Sequence, residues 1–318
     1  MNEFKFEIGE LVRVILKRTT GLILHRKFEP FPFGTINYFV YEVFINGQIH
    51  VLQENEMAKI NKPPIILMDM DGTITPARKA ITPKMEKFLH SLLLQNLEIG
   101  IVSGSTLDYI NEQTKAFQFA SEASLFNKIH ILPCNGTQYY RNGIEIYKLD
   151  MIETIGSEQY SQIVQYCFEQ QIKLMQSYDF DITGHVIDYR NSMLNWCPIG
   201  RLSKGVKREK WEKIDLDNNV RLPILQRFRN EIKSNGWDIE IKLGGETSFD
   251  MYPAGWDKTY SFKNFKDKNI YFIGDRCTPI GNDYEAFVKA GERGYNTQGP
   301  DNTIEIIKHI INMENTNG

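Results

Sequence analysis

The chain has 318 residues, which is too long for one small hydrophobic core and indicates two or three domains. Its 37 basic and 40 acidic residues are intermixed and leave a formal net charge of -3, so no basic field is available to bind nucleic acid or an anionic membrane surface. The four cysteines form no Cys-X-X-Cys pair, which argues against a zinc module or a disulfide framework and favours a reducing, cytoplasmic setting.

The N-terminal residues do not resemble a targeting segment. Glu3 and Glu7 place negative charge where a signal or transit peptide is basic or apolar. No apolar run along the chain approaches the length needed to cross a bilayer. We therefore expect a soluble protein with no membrane partner.

Residues 1–60 consist of short β-rich stretches separated by turn residues, a pattern that predicts a small five-stranded barrel. The stretches lie at residues 11–16, 22–25, 38–45 and 49–52. Asn46-Gly47, between the last two, is a strong hairpin signal. The opening Phe6–Arg13 resembles the first strand of SH3-like barrels but indicates no binding partner. Pro63-Pro64 stiffens the chain, so we expect a domain boundary between residues 58 and 64.

The run Ile65–Thr73 is the most informative segment, because an apolar stretch leads Asp69 and Asp71 directly into a turn. Such a run is typical of a buried parallel strand, and open α/β sheets bind ligands beyond the carboxyl ends of these strands. One carboxylate can form an aspartyl phosphate while the other transfers a proton, and the pair helps to hold a divalent cation. A plain acidic turn is the alternative, since an Asp-X-Asp pair alone is a weak signal.

Strands and helices alternate after this run. Thr82-Pro83 predicts a helix start, with the hydroxyl as N-cap and proline in the first turn. The predicted strand Ile99–Val102 ends in Ser103-Gly104-Ser105, where Ser105 is expected to cap a helix that begins at Thr106. Free backbone N–H groups beside a strand end suit a phosphate, although a plain strand-to-helix turn fits the segment equally well.

The pattern changes between about 148 and 254, which predicts an insert in the parallel core. Helices are expected at residues 157–171 and 222–235. Strands with alternating apolar residues are expected at residues 185–190 and 237–243. This combination reads as an antiparallel sheet with helices on one face. The core then resumes with the apolar run Asn269–Gly274, which again leads into an aspartate, Asp275.

Four short motifs occur in the order typical of the haloacid-dehalogenase (HAD) superfamily. They are Asp69–Thr73, Ser103–Ser105, Trp256–Lys258, and Gly274-Asp275 with Gly281–Asp283. Within that superfamily the chain resembles the eukaryotic-type phosphomannomutases, through the further segments 75–78, 189–195, 198–201, 244–250 and 253–258. The resemblance covers about residues 64–310 and is specific as a set, whereas each fragment alone is weak.

This resemblance implies an α/β fold: a HAD-like Rossmannoid parallel-sheet core with an inserted α+β cap domain, here preceded by the small all-β SH3-like barrel. The expected domains are residues 1–60 (barrel), 64–147 (first part of the core), 148–254 (cap) and 255–318 (second part of the core). The family also implies a homodimer that forms through the caps. The barrel lies outside the family pattern, so its role and its partner do not carry over.

Several positions depart from the family pattern. The family usually has glycine where Ser192 stands, Gln-Ile where Glu246-Thr247 stand, and lysine where Arg276 stands. The chemistry should survive these changes. Glu246 matters most, because a carboxylate near a phosphosugar can repel the ligand or alter the recognition of its hydroxyls.

The resemblance implies magnesium-dependent phosphoryl transfer. Asp69 would be the nucleophile and Asp71 the proton donor and acceptor, while Lys258 would neutralise the nucleophile and the incoming phosphate. The residues implied for the Mg²⁺ site are Asp69, Asp71 (through its backbone carbonyl) and Asp275, with support from Asn282 or Asp283.

The resemblance also implies a set of substrate-binding residues. These are Ser103 and Ser105 for the transferred phosphate, Arg78, Arg190, Arg201 and Arg208 for the other phosphate, and Ser248 and Asp250 for sugar hydroxyls or the cap-bound phosphate. A single arginine is more often a solvated surface residue, but four at family positions indicate a phosphate clamp. A mutase requires such a clamp, because it must retain a sugar bisphosphate while the two ends exchange.

The resemblance thus implies a phosphomannomutase that interconverts mannose 6-phosphate and mannose 1-phosphate and is primed by a hexose 1,6-bisphosphate. A sugar-phosphate phosphatase is the alternative, since water can discharge the same aspartyl phosphate. A third possibility is a binding protein whose function lies in the barrel. The preference for mannose or glucose stays open. Three tryptophans and one histidine of the insert are expected to be structural: Trp196, Trp211, Trp237 and His185.

Overall fold

The computed structural model describes residues 6–8, 11–15, 19–30, 37–59, 62–120 and 123–317. The chain divides into two compact units, residues 1–62 with 318 and residues 63–317. Every residue that the sequence assigns to chemistry belongs to the second unit.

The first unit contains a five-stranded antiparallel sheet, as the sequence predicts. Its strands are β1 (Leu11–Val14), β2 (Thr19–Pro30), β3 (Asn37–Ile45), β4 (Gln48–Gln53) and β5 (Met57–Lys59). β1 to β4 pair in sequence, a 3₁₀ turn at Glu54–Glu56 follows, and β5 returns to pair with β1. The SH3-like resemblance stays a prediction.

Two local features fix this sheet. Asn46 and Gly47 both have positive φ, +48° and +88°, as a two-residue hairpin between β3 and β4 requires. β2 extends beyond the predicted stretch at residues 22–25. Charged residues in its second half can pair with charged residues of the neighbouring strand, so this half forms a strand without alternating apolar residues. Lys27, for example, donates to Glu42 of β3 at 2.7 Å.

The second unit combines a mixed sheet with a smaller antiparallel sheet. Its strands are β6 (Pro64–Met68), β7 (Glu98–Val102), β8 (Ile129–Leu132), β9 (Gln138–Arg141), β10 (Ile144–Lys148), β11 (Ile187–Tyr189), β12 (Leu194–Trp196), β13 (Ile239–Gly244), β14 (Ser248–Pro253), β15 (Asn269–Gly274) and β16 (Gly294–Asn296). The seven-stranded sheet has the order β10-β9-β8-β7-β6-β15-β16, and the four-stranded sheet has the order β11-β12-β14-β13.

Parallel pairing in the larger sheet joins β8, β7, β6, β15 and β16, and β9 and β10 continue it as an antiparallel hairpin. The chain therefore forms a Rossmannoid core, leaves it after β10 to form the smaller sheet, and returns for β15 and β16. This is the predicted HAD-like core with an inserted α+β cap. The predicted strand at residues 185–190 is shorter than expected, and only Ile187–Tyr189 pairs with β12.

Helices cover both parts of the second unit. They are α1 (Pro83–Leu94), α2 (Leu107–Ala120), α3 (Ala123–Phe126), α4 (Met151–Ile155), α5 (Ser157–Ser177), α6 (Val206–Asn218), α7 (Arg221–Asn235), α8 (Tyr284–Ala290) and α9 (Pro300–Asn317). α1 begins as predicted, and Thr82 Oγ1 accepts the N–H of Met85 at 3.3 Å. No helix in the described ranges has the length and apolar content needed to cross a bilayer.

The start of α2 corrects one prediction. The helix begins at Leu107, and Thr106 rather than Ser105 precedes it as the capping residue. The carbonyl of Thr106 accepts the first helical hydrogen bond, from Ile110 N–H at 3.1 Å. Thr106 Oγ1 also accepts the Tyr109 N–H at 3.5 Å, as an N-cap does. Ser105 lies in the preceding turn, where its N–H donates to Ser103 Oγ at 3.1 Å.

The aromatic residues of the cap pack in its own core, as expected. Trp196 and Trp211 are fully buried, and Trp196 stacks on Phe249 with ring centroids 4.8 Å apart. Trp237 is also buried, and its indole N–H donates to Gln162 at 3.0 Å. His185 is exposed on the cap surface, 3.6 Å from Asp188.

All four cysteines are buried and unpaired. Cys167 and Cys197 lie in the cap core. Cys134 begins a short 3₁₀ helix after β8, and Cys277 lies in the loop after β15. Burial raises the pKa of the Cys134 thiol to about 11 and that of Cys277 to about 12. These two thiols are therefore protonated and shielded in the folded chain.

Candidate active site

Polar side chains follow three neighbouring parallel strands at the point where each strand ends. Asp69 follows β6, Ser103 follows β7 and Asp275 follows β15. β6 lies between the other two strands, and all three run in the same direction. The apolar residues of these strands bury themselves in the sheet, which fixes the three polar groups side by side at its carboxyl edge.

One cavity joins this edge to the cap. Predicted site residues that line it are Asp69, Asp71, Arg78, Ser103, Ser105, Arg190, Arg201, Ser248, Asp250, Asp275 and Asn282. Lys258 and Asp283 lie beneath its floor, fully buried. Arg208 is not among the lining residues.

Lys258 connects two carboxylates under the cavity. Its ammonium donates to Asp69 Oδ1 and, at 2.5 Å, to Asp283 Oδ1. It opens a 3₁₀ helix that Asp257 caps, by accepting the Thr259 N–H at 2.6 Å. Burial alone would lower the pKa of Lys258, but the two carboxylates outweigh it and raise the pKa. The lysine therefore stays charged next to the Asp69 carboxylate.

Three carboxylates lie close together beside this ammonium. Asp69, Asp275 and Asp283 have oxygens within 4.8 Å of one another. Burial raises the pKa of Asp69, and Asp283 and Asp275 raise it further against the opposing effect of Lys258. Burial and then Asp283 raise the pKa of Asp275 to about 6. The cluster carries more negative charge than the lysine compensates, which suits a cation.

Two oxygen atoms beside this cluster lack a partner. Asp275 Oδ1 and Asn282 Oδ1 are buried and accept no hydrogen bond from any described residue. Gly72 keeps the backbone close to the cluster, because it has φ +82° and a Cβ there would collide with the Asp275 carboxylate. Carboxylate and amide oxygens are the ligands that Mg²⁺ prefers, so the residues present fit that ion.

The Asp71 carboxylate is held apart from this cluster, at the cavity wall. Its Oδ1 accepts the backbone N–H of Arg78 at 2.7 Å and the hydroxyl of Tyr109 at 3.3 Å. Burial, followed by the charge of Asp71, raises the pKa of Tyr109, so the phenol keeps its proton. Two donors thus orient one oxygen of Asp71 and leave the other oxygen available.

Three of the predicted arginines, Arg78, Arg190 and Arg201, also line the cavity. The Arg190 side chain is almost fully buried, pairs with Asp188 at 2.9 Å, and donates to the carbonyl of Gly104 at 2.9 Å. Burial lowers the pKa of Arg201, and the charges of Arg190 and Arg78 lower it further. Arg190 and Arg78 therefore repel the Arg201 guanidinium, and an anion bound beside Arg201 would relieve that repulsion.

Polar groups of the cap sheet line the same cavity. Asn195 of β12 faces Asp250 of β14 and donates to its Oδ1 at 2.6 Å, and to Ser248 Oγ at 3.0 Å. Ser248 in turn donates to the carbonyl of Gly244 at 2.6 Å. These hydrogen bonds fix the Ser248 hydroxyl and the Asp250 carboxylate at the cavity wall.

Comparison with known proteins identifies the family. Residues 85–313 match the family model of eukaryotic phosphomannomutase. The chain is 33% identical over 255 residues to the phosphomannomutase of Schizosaccharomyces pombe, an alignment that covers 78% of this chain and 95% of the relative. The chain belongs to the eukaryotic phosphomannomutase family. The Spinacia oleracea phosphomannomutase is likewise 33% identical over 253 residues, covering 79% of this chain and 97% of that one.

The fold also occurs in solved structures of low sequence identity. The IMP-nucleotidase of Plasmodium falciparum superposes with a TM-score of 0.53 at 14% identity, covering 78% of this chain and 68% of that one. At this identity the likeness concerns the fold alone.

Arg208 differs from the other predicted phosphomannomutase residues. It lies on α6, and its Nη2 donates to Glu246 at 2.6 Å, its Nη1 donates to Thr247 at 3.2 Å, and its Nε pairs with Glu212 at 2.8 Å. The structure therefore does not bring Arg208 into the cavity with the other three arginines. Burial would raise the pKa of Glu246, but Arg276 and then Arg208 outweigh it and lower the pKa.

Tyr109 and Asn195 also line the cavity, although the sequence did not predict them as site residues. Tyr109 lies in the first turn of α2, three residues after Thr106. At this spacing its side chain lies on the side of the helix that faces the Ser103–Ser105 turn and the cavity. Asn195 belongs to a recognised phosphomannomutase segment, and its position opposite Asp250 follows from the pairing of two cap strands that the sequence pattern did not register. Helical spacing could have identified Tyr109, whereas Asn195 needed the strand register.

Proposed function

We propose that this protein interconverts mannose 6-phosphate and mannose 1-phosphate, primed by a hexose 1,6-bisphosphate, and so supplies mannose 1-phosphate for GDP-mannose synthesis. One observation carries the proposal: a buried carboxylate–lysine centre and a cluster of three arginines face the same cavity. The first can react with a phosphate and the second can hold another. A sugar that carries a phosphate at either end fits this arrangement.

Mg²⁺ is the proposed cofactor. Asp69, Asp275 and the backbone carbonyl of Asp71 would hold it, and the unpartnered Asn282 oxygen with Asp283 would support it. When bound, the ion would neutralise charge on the phosphate oxygens during transfer.

The residues of the core would divide the reaction between them. Asp69 would attack phosphorus and form an aspartyl phosphate, while Lys258 stabilises the charge that gathers beside it. Asp71, held by two donors, would give a proton to the departing sugar oxygen and later remove one from the attacking hydroxyl. The hydroxyls of Ser103 and Ser105 would donate to the phosphate oxygens.

The cap would hold the phosphate that is not reacting. Arg190 and Arg201 face the cavity together with Arg78. A guanidinium group can donate two parallel hydrogen bonds to the oxygens of one phosphate. Ser248 and Asp250 would bind sugar hydroxyls. Because a hydrolase needs to bind only one phosphate, this second site favours a mutase.

A sugar-phosphate phosphatase is the second candidate. The position of Arg208 favours it, since this arginine is engaged by Glu246 and does not strengthen the second phosphate site. A coupled assay separates the two functions: it measures mutase turnover and phosphate release on mannose 1-phosphate and glucose 1-phosphate, with and without glucose 1,6-bisphosphate. Turnover that depends on bisphosphate and exceeds phosphate release supports the mutase, and the reverse supports the phosphatase.

Arg201→Ala is expected to weaken the binding of a hexose 1-phosphate by about 1.5 to 3 kcal/mol, the loss expected for a hydrogen bond to a charged group. Arg201 is largely buried at the cavity and does not touch the carboxylate cluster, so Mg²⁺ affinity should not change. Calorimetric titration with the sugar phosphate and with Mg²⁺ measures both. Unchanged sugar-phosphate affinity would contradict the proposed second phosphate site.

The proposal extends to the organisation of the protein. The core would comprise residues 64–147 and 255–318, the cap residues 148–254, and the enzyme would be a cytoplasmic homodimer that associates through the caps. The exposed apolar residues Phe168, Ile172 and Met175, spaced along one side of α5, would supply surface for that contact. Light scattering of the purified protein gives the mass that tests it.

Deleting residues 1–60 is expected to leave mutase turnover within a few-fold of the full chain. Every proposed catalytic and binding residue lies in the second compact unit. Steady-state kinetics and the melting temperature of the truncated protein test this expectation. A soluble but inactive truncation would show that the N-terminal unit completes the site, and would favour the view that it carries part of the function.

A further inference from the structure

Glu246 lies between two arginines that come from different parts of the second unit. Its Oε2 accepts a hydrogen bond at 2.6 Å from Arg208 on helix α6 of the cap. Its Oε1 accepts one from Arg276, which follows strand β15 of the core. The carboxylate therefore occupies the position between two guanidinium groups that an anionic ligand would otherwise take.

Each of the three nitrogen atoms of the Arg208 guanidinium contacts a protein group. Besides Glu246 the guanidinium contacts Thr247 and Glu212, each through a different nitrogen atom. Glu246 and Arg276 line the cavity, and Arg208 does not. The hairpin between β13 and β14 thus places the negative charge of Glu246 at the cavity. Through the contact with Glu246 it also holds the positive charge of Arg208 outside the cavity lining.

Three positions at which the sequence departs from the family pattern meet in this cluster. Glu246, Thr247 and Arg276 are separated by up to 30 residues in the chain, and each of them contacts either Arg208 or another member of the three. The departures therefore form one local structure. Within this structure the ionised form of Glu246 is stabilised, because the guanidinium groups of Arg276 and Arg208 hold its pKa below the ordinary value.

We infer that Glu246 is a specificity-determining residue that acts as a built-in anion: it retains Arg208 and so limits the second phosphate site to Arg78, Arg190 and Arg201. This inference rests on the proposed function, because it concerns the affinity of the same cavity for a sugar bisphosphate. A phosphate that recruits Arg208 must first displace the Glu246 carboxylate. The native protein therefore binds a bisphosphate less tightly than the same cavity with a neutral side chain at position 246.

A double-mutant cycle tests the inference. Calorimetry measures the dissociation constant of glucose 1,6-bisphosphate for the native protein, Glu246→Gln, Arg208→Ala and the double variant. Glu246→Gln should bind it about tenfold tighter or more, since it releases a guanidinium for a charge-assisted hydrogen bond. Arg208→Ala should change affinity less than about threefold in the native protein, yet abolish the whole gain in the Glu246→Gln protein.

Asp217→Asn provides the matched control. It removes one carboxylate from the same helix α6, where Asp217 forms an exposed pair with Lys213 at 2.8 Å. Its affinity for the bisphosphate should equal that of the native protein. If Asp217→Asn tightens binding as much as Glu246→Gln does, the effect belongs to net charge and the inference is wrong.

Other outcomes also overturn the inference. Equal affinity of Glu246→Gln and the native protein would do so, as would a tenfold or larger loss for Arg208→Ala in the native protein. The Arg208→Ala result decides alone if Glu246→Gln does not fold. Failure of the proposed function gives a different result, because the native protein then shows no bisphosphate-dependent turnover whichever way the four affinities compare.

Discussion

Asp69→Asn is expected to abolish turnover, by a factor on the order of 10⁴ or more, because an amide cannot form the acyl phosphate. The substitution keeps the size of the side chain and its place at the end of β6. Lys258 retains its second carboxylate partner, Asp283, at 2.5 Å. The variant should therefore fold, and loss of activity should reflect chemistry. Steady-state kinetics with a melting curve of the same sample measures both.

Mass spectrometry of the native protein, quenched in acid during turnover, tests directly whether Asp69 carries the phosphate. Phosphate should appear on the peptide that contains Asp69. Asp71→Asn is the informative comparison, since it leaves the nucleophile in place and removes the proton donor, so slow formation of the phosphoenzyme should persist. Phosphate on a different residue, or full activity of Asp69→Asn, would exclude the proposed nucleophile.

Lys258→Met is expected to lower the free energy of unfolding by about 3 to 5 kcal/mol, which is the usual cost of removing one partner from a buried ion pair. Lys258 has no exposed surface, and its two partners, Asp69 and Asp283, are also buried. The variant leaves these carboxylates facing each other without a compensating charge. Denaturant unfolding at low Mg²⁺ concentration measures the loss.

Mg²⁺ should stabilise Lys258→Met more than it stabilises the native protein, because the ion would then supply the positive charge that is missing from the cluster. Lys268→Met is the matched control: Lys268 also pairs with a carboxylate, Glu98 at 2.9 Å, but both side chains keep contact with solvent. Its loss should be much smaller and independent of Mg²⁺. Equal losses for the two variants would contradict the assigned charge balance.

The core of the fold follows from sequence because local pattern and topology agree there. The apolar runs at β6 and β15 can be satisfied only by burial on both faces of a sheet, and the polar residues that follow them must then emerge at its carboxyl edge. The Asn46-Gly47 turn and the Thr82 cap are equally local. Each is decided by one or two residues whose conformational preferences are strong.

The position of Arg208 could not be predicted in the same way. Motif position placed it among the phosphate-binding arginines, whereas its orientation depends on Glu246, which is 38 residues away and on another element. A guanidinium binds whichever carboxylate the tertiary fold brings near it, and sequence spacing does not report that distance. The start of α2 differs from the prediction by one residue, because Thr106 Oγ1 accepts the Tyr109 N–H at 3.5 Å and Thr106 takes the capping position.

The four buried thiols give the native chain its own reporters of partial opening. Only a thiolate that reaches solvent reacts readily with a disulfide reagent, so each cysteine is modified at the rate at which its surroundings unfold. Cys167 and Cys197 belong to the cap core, and Cys277 belongs to the core loop after β15. The order in which these thiols are modified will therefore show whether the cap loosens before the parallel sheet, without any engineered label.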